Sequence, residues 1–99
     1  MYVGVMRVVF AEESGPIHPK DAKNLCLKIK QRFAVLASFE KNSENEDHPC
    51  LYVTLMASHD IKLKTLSDNI CEFCESSGFG RVADQELFLR DIRSFFSKT

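Results

Sequence analysis

The stretch Pro19–Phe33, PKDAKNLCLKIKQRF, decides the fold class of this 99-residue chain. Ala22, Leu25, Cys26, Ile29 and Phe33 recur at the spacing of one helical face. Lys20, Lys23, Asn24, Lys30 and Gln31 fill the opposite face. Pro19 suits the first turn, because its missing N–H has no intrahelical partner there. Leu27 falls off the apolar stripe and must find a partner or tolerate exposure. The segment is an amphipathic helix that needs an apolar surface to lie on.

Upstream, Tyr2–Phe10 (YVGVMRVVF) supplies such a surface. It is rich in β-branched and apolar residues and reads as a strand with apolar residues on both faces. Tyr2, Met6, Val8 and Phe10 point one way; Val3, Val5, Arg7 and Val9 point the other. The single arginine marks the second face as the less buried one. Ala11 to His18 holds Ser14, Gly15 and Pro16 and reads as a loop.

Downstream, Ala34 to Glu40 alternates, with Val35, Ala37 and Phe39 against Leu36, Ser38 and Glu40. Lys41 to Pro49 contains no apolar residue and reads as a mobile connection. Cys50 to Ala57 is a second apolar strand, with Leu51, Val53 and Leu55 facing away from Cys50, Tyr52, Thr54 and Met56. The two strands form a natural antiparallel pair. Asp60 is a helix N-cap residue, since its carboxylate can accept from unpaired first-turn amides. Leu63, Leu66, Ile70, Phe73 and Cys74 then share one helical stripe, and Gly78 supplies a left-handed stop.

Residues 81–89 read in two ways, as a fourth strand or as the start of a helix. Asp84 could cap a helix with the stripe Phe88, Ile92, Phe95 and Phe96, acids early and Arg90, Arg93 and Lys98 late. The compromise is a short strand at Gly80–Ala83 followed by a C-terminal helix. The expected fold is therefore α+β, a ferredoxin-like split βαβ arrangement. It places two helices on one face of an antiparallel sheet and adds a C-terminal helix. Residues 1–99 form a single domain at the usual domain size.

Composition narrows function by exclusion. The charge balance is −1, from 13 basic and 14 acidic residues, which removes a whole-protein attraction to nucleic acid. A local basic patch survives that test. Between Pro16 and Lys41 there are six bases and two acids, and between Asn42 and Asp60 four acids and no base. No run approaches the ~20 apolar residues of a membrane helix. The opening residues lack a targeting pattern, so a cytoplasmic protein without membrane contact is expected. In that compartment Cys26, Cys50, Cys71 and Cys74 read as free, mostly buried thiols.

No motif names a reaction. Cys71-Glu-Phe-Cys74 sits near the end of its helix, where the dipole opposes thiolate formation. A zinc site would need a second close pair, and the remaining Cys and His residues are scattered, so no metal or other cofactor is expected. Cys74 reads as core and Cys71 as a flanking position. Ser77-Gly78-Phe79-Gly80 follows a helix instead of preceding one, so it reads as a helix stop and turn, not a phosphate cradle. No nucleophile elbow or zinc-protease helix is present. The reading leans away from an enzyme.

Two fold relatives are excluded by residues. An RNA-recognition motif needs a basic-Gly-aromatic-Gly-aromatic run that is absent here. An acylphosphatase needs a Gly-Val-Gln-Gly loop after the first strand, also absent. The opening Met1-Tyr-Val-Gly-Val-Met-Arg7, the pair Arg32-Phe33 before an alternating strand, and Leu51-Tyr-Val-Thr-Leu-Met-Ala-Ser-His-Asp60 entering a helix do resemble the YlxP-like family. These are small bacterial proteins classed as a domain of unknown function. The chain departs from the family pattern at Ile17–Lys23, where the family is more basic, and at Lys41–Pro49, where it carries a tryptophan-bearing segment. The resemblance implies a ferredoxin-like fold and carries over no catalytic residue.

Three functions compete. The first is a non-enzymatic binding or assembly module that associates with itself, a homodimer or larger homo-oligomer, through Val3, Val5 and Val9 on a sheet face without helices. The second is an RNA- or ribosome-associated accessory protein using Lys20, Lys23, Lys30 and Arg32. The third is a small-molecule sensor or enzyme, with a site at a dimer seam or beside His48 and Cys50.

Overall fold

Alternation in β1 (Tyr2–Phe10) sets the layers of the molecule. Met6 and Val8 have no exposed surface and Phe10 almost none, whereas the intervening Val3, Arg7 and Val9 are half-buried and Val5 is exposed. One face of the strand is core and the other is open. The structure, a computed structural model, describes residues 1–42 and 45–96. After β1 come α1 (Pro19–Phe33), β2 (Leu36–Asn42), β3 (Asn45–Ala57), α2 (Asp60–Ser76) and β4 (Val82–Asp91). Short 3-10 turns lie at Glu12–Ser14 and Ile92–Phe95.

The four strands form one antiparallel sheet in the order β2-β3-β1-β4. Both helices pack on one side of it. Leu25, Cys26 and Ile29 of α1 and Leu63, Ile70, Cys71 and Cys74 of α2 join Met6, Val8, Leu51, Val53 and Leu55 in one core. Burying a side chain of this size contributes about 1.5–3 kcal/mol, so the shared core outweighs any helix propensity. Gly4 lies on the inward face of β1, where a Cβ would come within 3.2 Å of Leu87 Cδ1 and 3.5 Å of Leu63 Cδ1. Its missing side chain lets α2 and β4 close over the strand. At the far end, Phe79 meets Phe10 edge-on, with ring centroids 4.9 Å apart, and Phe39 closes the cluster.

The helix ends differ from the sequence reading in chemistry. Asp60 is the first residue of α2 and His59 the N-cap, but the Asp60 carboxylate still accepts the Ile61 N–H at 2.9 Å. Gly78 is left-handed at φ 79°, as a helix stop requires. α1 ends on Ala34 at φ 54°, with its N–H donating to the Lys30 carbonyl at 2.9 Å. A left-handed alanine costs roughly 1 kcal/mol, and no glycine announced this stop.

Two expectations are corrected. Within the polar segment Lys41–Pro49, residues 41–42 and 45–49 are strand and not loop, because β2 runs to Asn42, β3 starts at Asn45, and these two residues pair; residues 43–44 lie outside the described residues. Backbone ladders need no apolar side chains, so a pattern of side chains cannot find such a hairpin end. The short strand at Gly80–Ala83 followed by a C-terminal helix is also wrong. β4 covers Val82–Asp91, pairing from Phe10↔Val82 to Tyr2↔Asp91, and Asp84 and Phe88 are strand residues. Ile92–Phe95 makes one 3-10 turn, and Lys98 lies outside the described residues. The physical reason is the second edge of β1, whose backbone groups need partners that a helix could not offer. Asp91 starts the turn by accepting the Arg93 N–H at 2.9 Å, and the Arg93 side-chain hydrogen bond holds its carboxyl below the usual range.

Candidate functional site

The side of the sheet without helices is built by the outward residues of all four strands. Leu36 of β2, Thr54 of β3, Val5 of β1 and Phe88 of β4 stand opposite one another in a single row. Met56, Val3 and Arg90 form the next row. Leu36 and Phe88 are each 69% exposed, Met56 57% and Val5 42%, so this half of the face is an apolar patch in water. Exposed apolar residues in one contiguous group mark contact surfaces more often than single ones do.

The other half of the face is polar. Ser38, Tyr52, Arg7 and Glu86 share a row, and the Arg7 guanidinium donates to Glu86 Oε1 at 2.6 Å. Val9 stands opposite Asp84. Of the three valines read from the sequence, Val3 and Val5 belong to the apolar half, and Val9 sits half-buried at the charged end. Sequence reasoning missed Leu36, Met56 and Phe88 as site residues. Alternation had already put Leu36 and Met56 on that face, but Phe88 was hidden by its assignment to a helix.

The basic residues divide. Lys20, Lys23 and Lys30 are all exposed on α1. Arg32 points elsewhere, with its guanidinium 5.3 Å from the Phe73 ring centre of α2 and 5.7 Å from that of Phe33. It serves the joint between the helices.

The thiols are free and buried. Burial pushes Cys71 up to about 11, helped by Asp68 and Glu75, and Cys74 up to about 12, with the neighbouring Cys71, Cys26 and Glu75 adding to the effect. Burial also raises Cys26. These groups stay protonated at neutral pH and act as small apolar side chains. Cys71 is core, not flanking, which corrects the sequence reading. Cys50 is buried as well, and His48 beside it is half-buried, with Nδ1 lacking a hydrogen-bond partner among the described residues. Ser67 is buried on α2, and its hydroxyl also lacks a hydrogen-bond partner among the described residues. Among the described residues, no three His, Cys, Asp or Glu side chains gather as a metal would require. No helix among them is long and apolar enough to cross a membrane.

One cavity of about 540 Å³ lies between the loop after β1, the first half of α1 and the turn after α2. Its lining combines Phe10, Ile17 and Phe79 with Asp21, Lys28 and Ser77. The size suits a small ligand. The lining holds one cation and one acid and does not name a ligand class. No family model matches the chain, and no curated protein matches it.

Proposed function

We propose that this chain is a non-enzymatic, self-associating binding or assembly module that works through the helix-free face of its sheet. The observation that carries the reading is the exposed row Leu36–Thr54–Val5–Phe88, flanked by Met56 and Val3. A second copy facing this row would remove apolar surface from water at about 25 cal/mol per Å² before the costs of association. The polar half, with its Arg7–Glu86 pair, would sit toward the rim, as charged groups do in protein contacts. The element order and strand order support a ferredoxin-like arrangement. They agree with the fold implied by the YlxP-like resemblance, which we retain as a proposal. The module is proposed to act in the cytoplasm.

Light scattering across a range of micromolar concentrations tests this. The wild-type chain should weigh more than one copy, and Val5→Asp should reduce that mass without lowering the melting temperature much. A monomer at every concentration and salt overturns the reading.

The RNA- or ribosome-binding alternative keeps one supporting observation, the exposed lysines Lys20, Lys23 and Lys30. Binding that weakens steeply with salt and is lost when all three become Glu would favour it.

A further inference from the structure

β4 is an edge strand, and its composition differs from that of the other edge, β2. An edge strand presents unpaired N–H and C=O groups and invites another strand unless charge, proline or a bulge prevents it. β4 runs ten residues, VADQELFLRD, without a proline. Its one irregularity against β1 falls at the Val82–Asp84 end, leaving Gln85–Asp91 in even register. β2 is seven residues long and has a register shift between Glu40 and Asn42.

We propose that two copies of this chain pair antiparallel along β4, with Phe88 opposite Phe88 of the second copy. In this register Glu86 of each copy stands opposite Arg90 of the other, twice over across the two-fold axis. Leu87 likewise stands opposite Leu89 on the helix side. Opposite residues of an antiparallel pair share a face, and Glu86, Phe88 and Arg90 all lie on the open face beside Arg7, Val5 and Val3. Neighbouring registers are poorer. Moving the centre to Glu86 sets two like charges against each other. Moving it to Leu87 places Glu86 against Phe88, and moving it to Leu89 sets Leu87 against Asp91. No register of β2 with itself brings unlike charges together on one face, because Glu40 and Lys41 are adjacent and point to opposite faces.

Local geometry suits the contact. Arg7 engages Glu86 at Oε1, and the second carboxylate oxygen is offered to Arg90 of the second copy. The Arg90 guanidinium is held 5.0 Å from the Phe95 ring centre, which limits its freedom before pairing. The pairing also makes the apolar row continuous through the axis, so that Leu36, Thr54, Val5 and Phe88 of one copy run into the same row of the other across eight strands. This edge contact goes beyond the face contact proposed above and rests on it only in that the chain associates with copies of itself.

The test removes the face contact first. Val5→Asp protein should remain a dimer in light scattering. Adding Glu86→Arg, or separately Arg90→Glu, should weaken that dimer by about tenfold or more, since each change turns two attractions into repulsions. Mixing the two doubly substituted chains one to one should restore a dimer, because the replaced side chains then face each other with opposite charge. A second measurement avoids charge changes. Leu87→Cys and Leu89→Cys chains, mixed under mild oxidation, should cross-link with each other, and neither should cross-link alone. If Val5→Asp is already monomeric, or its dimer ignores both charge reversals, the edge contact is overturned while the face reading stands. If Val5→Asp leaves the wild-type mass unchanged, the face reading fails and the charge pair still decides the edge. A dimer broken by Arg90→Glu but not by Glu86→Arg would place Asp84 against Arg90 and overturn this register.

Discussion

Val5 and Met6 are neighbours on β1, yet one is 42% exposed and the other wholly buried. Met6 is pressed between the two helices and the sheet, among Leu63, Ile70 and Val53 in the core. Val5 looks out from the same backbone between Thr54 and Phe88. Two apolar residues of similar hydrophobicity thus serve two different ends. The inward one holds the chain together; the outward one is free to hold something else. A sheet covered on one side only puts core and exposed residues in alternation along the same strand.

The largest effect should separate these faces directly. Met6→Ala leaves a cavity in a close-packed core and should cost about 2–5 kcal/mol in denaturant unfolding. Val5→Ala should cost less than about 1 kcal/mol, because exposed positions away from the core tolerate truncation. Equal costs would break the distinction between the faces.

High pH should reveal the buried side next. The folded thiols of Cys71 and Cys74 titrate near 11 and 12, above the value of about 9 for an unperturbed thiol. Below pH 9 both folded and unfolded chains keep these protons and the thiols add no pH dependence. Between about 9 and 11 the unfolded chain loses them while the folded chain holds on, so stability falls as pH rises. Urea midpoints measured from pH 7 to pH 10.5 should drop above pH 9. With both cysteines changed to Ala, the overall stability should be lower but this part of the slope should flatten.

Ala34 belongs to neither face, and Ala34→Gly should raise stability by roughly 1 kcal/mol by relieving its left-handed strain. A thermal melt checks it. The smallest effect is expected on the open side, where Arg7→Ala should leave the melting temperature nearly unchanged, since exposed ion pairs are weak. A larger loss would mean that the polar half of the face is structural.

Much of this was legible from residues alone. The stripe Ala22–Leu25–Cys26–Ile29 and the alternation of Leu51, Val53 and Leu55 are burial patterns, and burial is what side-chain chemistry encodes most directly. The open face was partly legible for the same reason, through Val3, Val5 and Arg7. Phe88 was not, because its spacing to Ile92 and Phe95 fits a helix as well as its alternation with Leu87 and Leu89 fits a strand. Residues 45–49 gave no signal at all, being polar yet part of β3.

Local sequence determined two amphipathic helices, the inward faces of three strands, and thiols suited to a core. Tertiary structure decided that Val82–Asp91 is a strand, that Asn42 meets Asn45, and that Leu36, Val5 and Phe88 align in one exposed row. The reason lies in range. A helix stripe is set by neighbours three and four residues away, whereas a sheet row joins residues as far apart along the chain as Tyr2 and Asp91, and only the partner strand's unsatisfied backbone groups determine which segment fills it.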